Sequence, residues 1–157
     1  MKESPLHIVL YQPEIPPNTG NIARLCACTG CQLHLVHPLG FNLDEKQVRR
    51  AGLDYWEHLE VKEHPNWESV RESLGEKRNW YAMTTKATTL TWEARFKAGD
   101  VLVMGPETRG LPEHIRNEIT PLKLYMRSDA PVRSQNLSSA CSAVVYEALR
   151  QINITKQ

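Results

Sequence analysis

Short apolar runs alternate along this chain with segments whose apolar residues recur every three or four positions. The runs Leu6–Tyr11, Leu33–Val36, Trp80–Thr84, Val101–Gly105 and Leu122–Met126 predict β-strands, and Leu59–Val61 predicts a weak short one. Val101–Gly105 is apolar throughout, the pattern of a strand covered on both faces. Between the runs the period changes. Pro13, Pro16 and Pro17 break the chain, Asn18-Thr19-Gly20-Asn21 then offers helix-start chemistry, and Ile22, Leu25, Cys26 and Thr29 share one face of the helix that follows. Gly30 is placed to end it. A polar helix is expected from Asp44 to Ala51, another from Trp67 to Leu74, and a short one from Pro112 to Asn117. The last helix is expected from Ser134 to Ile152, with Leu137, Cys141, Val144, Val145, Ala148, Leu149 and Ile152 as its buried stripe. This alternation specifies an α/β fold, a mostly parallel sheet flanked by helices. No repeat, low-complexity tract or Ser/Gly linker interrupts residues 1–157, which read as one domain.

Composition narrows the function classes. The 157 residues carry 19 Lys and Arg against 18 Asp and Glu, a formal net charge of +1. That balance argues against a polybasic binder and leaves room for a local basic face. Apolar runs fall far short of the ~20 residues of a membrane helix. Met1-Lys2-Glu3-Ser4-Pro5 lacks the apolar stretch of a signal peptide. Four cysteines without such a signal do not read as a disulfide framework, so a reduced, cytoplasmic protein is expected.

Three polar segments each follow a predicted strand, where open α/β sheets bind ligands. In Asn18-Thr19-Gly20-Asn21-Ile22-Ala23-Arg24, Asn21 and Arg24 share a helical face away from Ile22 and Leu25. A guanidinium beside an amide suits an anion or a hydroxyl; a helix cap plus a solvated arginine explains the same residues. Gly105-Pro106-Glu107-Thr108-Arg109-Gly110-Leu111-Pro112 demands a shaped loop, either a rigid turn or a place where a ligand approaches glycine backbone. It is not a phosphate loop, since no Gly-Lys-Ser/Thr or Gly-x-Gly-x-x-Gly is present. Arg133-Ser134-Gln135-Asn136-Leu137-Ser138-Ser139 suits either a multiply capped helix start or a carboxylate site at exposed amides.

In this order and spacing the three segments resemble the motifs of the SPOUT superfamily of RNA methyltransferases. The resemblance is nearest to the small single-domain enzymes that methylate the 2′-hydroxyl of the tRNA wobble nucleotide, cytidine or uridine. Tyr11-Gln12-Pro13-Glu14-Ile15-Pro16-Pro17-Asn18-Thr19-Gly20-Asn21, Arg49–Tyr55, Thr84-Thr85-Lys86 and Val145–Gln151 extend it nearly end to end. It implies a deep trefoil knot near the carboxyl end, which no periodicity argument reaches because threading runs against the ordinary rules of connection. It implies a homodimer, the tRNA anticodon arm as partner, and S-adenosylmethionine as methyl donor with no metal. By motif position the cofactor set is Met83, Gly105, Met126 and Ser134, with Glu107, Leu111 and Asn136 nearby. Arg24 matches the catalytic arginine and Asn18 the motif asparagine. An arginine whose pKa stays above ~12 is a poor base, so Arg24 is expected to orient ribose or phosphate and to stabilise a developing alkoxide.

Three positions depart from the group. Val132 stands in place of a small polar residue, Arg127 of proline and Cys28 of asparagine, which bears on cofactor-loop shape and substrate range. Lys46, Arg49, Arg50, Lys86, Arg109, Arg127 and Arg133 are candidates for phosphate contacts, or solvated surface charges. Tyr55 and Tyr146 are candidates to stack on bases, and Tyr146 equally reads as an interface or core residue. Three other readings of the chain are a zinc site built from Cys26, Cys28, Cys31 and Cys141, though the tight cysteine pairs of structural zinc sites are missing, a non-catalytic RNA-binding module, and a 2′-O-methyltransferase acting on ribosomal RNA or another tRNA position.

Overall fold

The computed structural model describes residues 3–43 and 59–152. The helix expected over 44–51 lies outside the described residues. Six strands form one sheet: β1 (Leu6–Tyr11), β2 (Gln32–Val36), β3 (Val61–His64), β4 (Trp80–Met83), β5 (Asp100–Met104) and β6 (Thr120–Leu122). Their order is β3-β2-β1-β5-β4-β6, and every pairing is parallel. Four helices complete the described fold: α1 (Pro16–Thr29), α2 (Trp67–Leu74), α3 (Glu113–Glu118) and α4 (Leu137–Gln151). The expected α/β class with a parallel sheet holds.

Side-chain alternation explains both cores. Along β1, Leu6, Ile8 and Leu10 point to one face and Val9 to the other; along β5, Leu102 and Met104 oppose Val101 and Val103. The first face packs on α1 and α4 through Ile22, Leu25, Cys26, Cys141, Val144, Val145 and Ala148. The second packs on α2 and α3 through Trp67, Val70, Ile115 and Ile119. Cys26, Cys31 and Cys141 are buried and burial pushes their thiols up, while Cys28 faces out.

A row of three histidines crosses the second face. His7 Nδ1 lies 3.0 Å from His34 Nε2, and His34 Nδ1 lies 3.0 Å from His64 Nε2. His7 Nε2 is buried with no protein partner. Burial, then the nearby Arg78, lowers His7 from 6.5 to about 4; burial, then His7, lowers His34 to about 3; burial and Lys62 lower His64.

Boundaries moved by two residues or more at four places. The third strand begins at Val61, two residues beyond the expected start, because its pairing begins opposite Leu33. β6 is Thr120–Leu122 rather than Leu122–Met126, since only the earlier residues pair with β4. α4 starts at Leu137, capped by Asn136, rather than at Ser134. α1 starts earlier than expected, for a reason that belongs to the site.

β6 has neighbours on both sides. Thr84 N–H donates to Leu122 O at 2.9 Å on the β4 side. On the other side Lys123 N–H donates to Thr89 O and Thr91 N–H to Lys123 O, both at 2.9 Å. The β4-to-β5 connection therefore runs around the outer edge of β6. It continues through a single 3-10 turn, Thr91–Glu93, and reaches α4, where Phe96 N–H donates to Gln151 Oε1 at 2.9 Å.

Candidate active site at the carboxyl ends of β1 and β5

From β1 the strand order runs through β2 to β3 on one side and through β5, β4 and β6 on the other. The chain leaving β1 turns to α1 on the first face, and the chain leaving β5 turns to α3 on the second. The crevice between two such departures is where open α/β sheets bind ligands. Two of the three polar segments meet there.

α1 begins at Pro16, not at Asn18, with Ile15 as its cap (φ −106°, ψ 109°) and no cap from the Ile15 side chain. Proline is tolerated at a helix start because the first-turn N–H groups have no helical acceptor. The amides that do need an acceptor find it 92 and 93 residues away. The Glu107 carboxylate accepts from Glu14 N–H at 3.0 Å and Ile15 N–H at 2.5 Å, and Asn18 Nδ2 reaches it at 3.5 Å. A carboxylate also suits the positive end of the helix dipole. Asn18 and Thr19 are buried in this first turn, whereas Asn21 and Arg24 face outward.

The Gly105–Pro112 loop grips back. Glu14 Oε1 accepts from Thr108 N–H at 2.9 Å and from Thr108 Oγ1 at 2.7 Å, and Arg109 Nε lies 3.8 Å from Glu14 Oε2. The two Thr108 bonds hold the Glu14 carboxyl below its ordinary range, with Arg109 adding to them. Arg109 also donates to Gln12 Oε1 at 3.3 Å. Gln12 has φ 47°, in the left-handed region uncommon for a residue with a side chain. Arg109, a candidate phosphate contact, is thus directed at this loop pair.

The loop itself requires a glycine at position 105. A Cβ there would stand 2.4 Å from Leu111 N and 2.6 Å from Gly110 C. Leu111, 2% exposed, is fixed in the second core, and its carbonyl accepts from Arg116 at 2.9 Å. Gly110 closes the turn at φ 69°, its N–H donating to Pro106 O.

Met83 ends β4 in register with Met104 and Leu122, so it lies beside Gly105 at the carboxyl edge. Met126 is half-buried in the segment after β6. Among the described residues, Ala130 N–H to Arg127 O is the one backbone hydrogen bond with both partners in 124–135. Ser134 is exposed. Asn136 caps its own helix, its Oδ1 accepting from Ser138 N, Ser138 Oγ and Ser139 N. The side-chain bonds therefore join Asn18 to Glu107, while Asn136 serves α4.

Sequence reasoning passed over Glu14, Thr108 and Gln12 as contact residues, because their partners are more than 90 positions away and no local spacing signals the contact. It also missed Trp92 and Tyr125, exposed rings stacked at 5.9 Å, Tyr125 on the segment that carries Lys123 and Trp92 just past the segment paired with it. Tyr146 is exposed on this chain, which removes it from the core. Arg127 pairs with Asp129 at 3.4 Å, and Lys46, Arg49, Arg50 and Tyr55 lie outside the described residues. Among the described residues no group of three or more His, Cys, Asp or Glu is placed to hold a metal ion, and no helix is long and apolar enough to cross a membrane.

A doubly covered parallel sheet with polar loops meeting at its switch point defines an α/β ligand-binding class. The particular family follows from comparison. The model of the SpoU rRNA methylase family matches residues 5–146, and this chain belongs to that family. It is 54% identical over 147 residues to a tRNA (cytidine(34)-2′-O)-methyltransferase of Methylovorus glucosotrophus, covering 92% of this chain and 94% of the relative. A solved structure concerned with 2-OH methylation of C/U34 on tRNA matches with a TM-score of 0.89 and 46% identity, over 94% of this chain and 95% of that one. The SpoU methyltransferase AviRb from Streptomyces viridochromogenes, solved with the cofactor AdoMet, shares the fold at a TM-score of 0.80 and 22% identity, over 96% of this chain and 62% of AviRb.

Proposed function

We propose that this chain is a tRNA 2′-O-methyltransferase that transfers a methyl group from S-adenosylmethionine to the ribose 2′-hydroxyl of the wobble nucleotide, cytidine 34 or uridine 34. The carrying observation is the seating of the α1 start on the Glu107 carboxylate, which fixes the Asn18–Arg24 helix against the Gly105–Pro112 loop. The 54% identity to a cytidine-34 enzyme over 92% of this chain supports the choice of substrate over another tRNA or ribosomal site.

The donor set fits the methyl donor. Residues 124–135 offer backbone carbonyls and amides not consumed by one another, the kind of groups that read an adenosine without side-chain identity. Met83, Gly105, Leu111, Met126 and Ser134 would line that cofactor site, and Asn136 would shape it by fixing the start of α4. Glu107 would act on it through the α1 start that it holds. When bound, the donor supplies a methyl group already activated on a sulfonium. The chain has to hold the ribose in line, and positioning of this kind supplies much of a rate. Arg24, outward on α1, orients the ribose or an adjacent phosphate and stabilises charge developing on the 2′-oxygen. Asn18 sets the first turn of that helix through Glu107.

The reading extends to a deep trefoil knot, a homodimer and a cytoplasmic site of action on the tRNA anticodon arm. For the knot, β4 and β5 are paired, the 84–99 connection closes a loop outside β6, and the chain passes from α3 on one face through β6 to α4 on the other. For the dimer, Ile15, Val132 and Tyr146 expose large apolar side chains.

The test is methyl transfer from labelled S-adenosylmethionine to tRNA from a strain lacking the gene, with the methylated nucleotide mapped by mass spectrometry. A 2′-O-methyl mark at position 34, lost in Arg24→Ala while cofactor binding persists, is the expected result. Cofactor binding without transfer to tRNA, or a mark at another nucleotide, refutes the substrate; undiminished turnover by Arg24→Ala removes Arg24 from the mechanism.

A further inference from the structure

The geometry points to Glu14 as a positioning residue: its carboxylate and that of Glu107 form a two-way clasp that holds the helix bearing Arg24 in register with the loop after β5. The inference deepens the function proposed above and rests on it. The two carboxylates act in opposite directions across one gap. Glu107, on the β5 side, accepts the main-chain N–H groups of Glu14 and Ile15. Glu14, on the β1 side, accepts the N–H and the hydroxyl of Thr108 on one oxygen, with Arg109 at the other. Glu14 therefore donates with its main chain and accepts with its side chain, into successive residues of a single loop. A single bond would let the loops pivot; four bonds in opposed senses do not.

The loop has no room to retreat. Gly40 N–H donates to Pro13 O at 2.9 Å, and a Cβ on Gly40 would stand 2.9 Å from Glu14 Cα, so a third segment backs the clasp from behind. Pro16 and Pro17 follow two residues later with φ fixed by their rings, so a shift at Glu14 passes into α1 rather than being absorbed before it. Arg24 rides two turns further along that helix. Glu14 itself touches no reacting group; it acts through where Arg24 stands relative to the β5 loop. Thr108, Arg109 and the amides of Glu14 and Ile15 use every strong contact the two carboxylates make, which explains two acids in loops that otherwise approach an alcohol and a methyl donor.

The test compares Glu14→Ala, Glu14→Gln, Thr108→Val and the Glu14→Ala/Thr108→Val double variant in the full chain. Backbone amide exchange is the first readout. Glu14→Ala is expected to speed exchange at Thr108, its direct partner, and also at Ile15, whose acceptor Glu107 is untouched. Methyl transfer is the second: kcat is expected to fall about 10²-fold in Glu14→Ala, the cost of a roughly 1 Å misplacement, with KM for tRNA unchanged. Glu14→Gln keeps an acceptor for Thr108 and is expected to recover most of both effects. The double variant is expected to be no slower than Glu14→Ala, because both changes open the same clasp. Unchanged Ile15 exchange in Glu14→Ala, unchanged kcat, a Gln variant as impaired as Ala, or additive losses each overturn the clasp. A wild type that methylates no tRNA sinks the proposed function, and Ile15 exchange then still decides the clasp.

Discussion

Gly105→Ala adds one methyl group and is expected to damage both the fold and the site. The new Cβ would meet Leu111 N at 2.4 Å and Gly110 C at 2.6 Å, where ordinary contact begins at 3.4 Å. Both obstacles are backbone, so the loop must retreat by about 1 Å; no side-chain rotation relieves the clash. Leu111 cannot follow freely, because its side chain is packed among the second-face residues and its carbonyl is held by Arg116. Overpacking of this kind costs about 1–3 kcal/mol. Partial exposure of a leucine adds up to about 1–2 kcal/mol of lost burial. A total of about 3 kcal/mol lowers the melting temperature of a domain this size by about 6–12 °C. Urea unfolding followed by the fluorescence of the buried Trp67 and Trp80 reads the stability, and calorimetry reads S-adenosylmethionine affinity. Stability within about 1 kcal/mol of wild type together with unchanged affinity refutes the reasoning. Full stability with lost affinity would instead assign the space beside Gly105 to the ligand.

The remaining predictions concern the buried histidines and the thiols. His7 and His34 stay neutral in the folded chain down to about 4 and about 3, while in the unfolded chain they take up protons below about 6.5. The unfolded state therefore binds more protons as pH falls, so stability is full above about pH 7 and is lost progressively from about 6.5 down to about 3, by about 2–4 kcal/mol at pH 5. A urea midpoint that fails to drop between pH 7.5 and pH 5 contradicts this. Of the four cysteines only Cys28 is exposed, so Ellman's reagent is expected to titrate one thiol in the native protein and four in denaturant. Two or more reactive native thiols would show that the first core opens readily.

The alternation of apolar runs determined by itself the class of fold, since a parallel strand buried on both faces has a continuous apolar signature. It located β1 and α2 to the residue, and Gly30 as the left-handed end of α1. The polar segments after β1 and β5 marked the candidate site because ligand loops must carry polar and glycine residues. Sequence did not determine how those segments meet. The start of α1 moved to Pro16, where the Glu14 and Ile15 amides just before it find Glu107, a partner no local pattern reveals. β6 moved because pairing with β4, not propensity, decides which residues of a short apolar run join a sheet. The same holds for the purpose of a residue. Glycine at 105 was legible as a demand for space, and only the folded loop decided that Leu111 occupies that space. Three histidines at positions 7, 34 and 64 are unremarkable along the chain; parallel register on adjacent strands sets them within hydrogen-bond distance. Local patterns record short-range propensity and burial, whereas contacts across some 90 residues exist only once the sheet has ordered its strands.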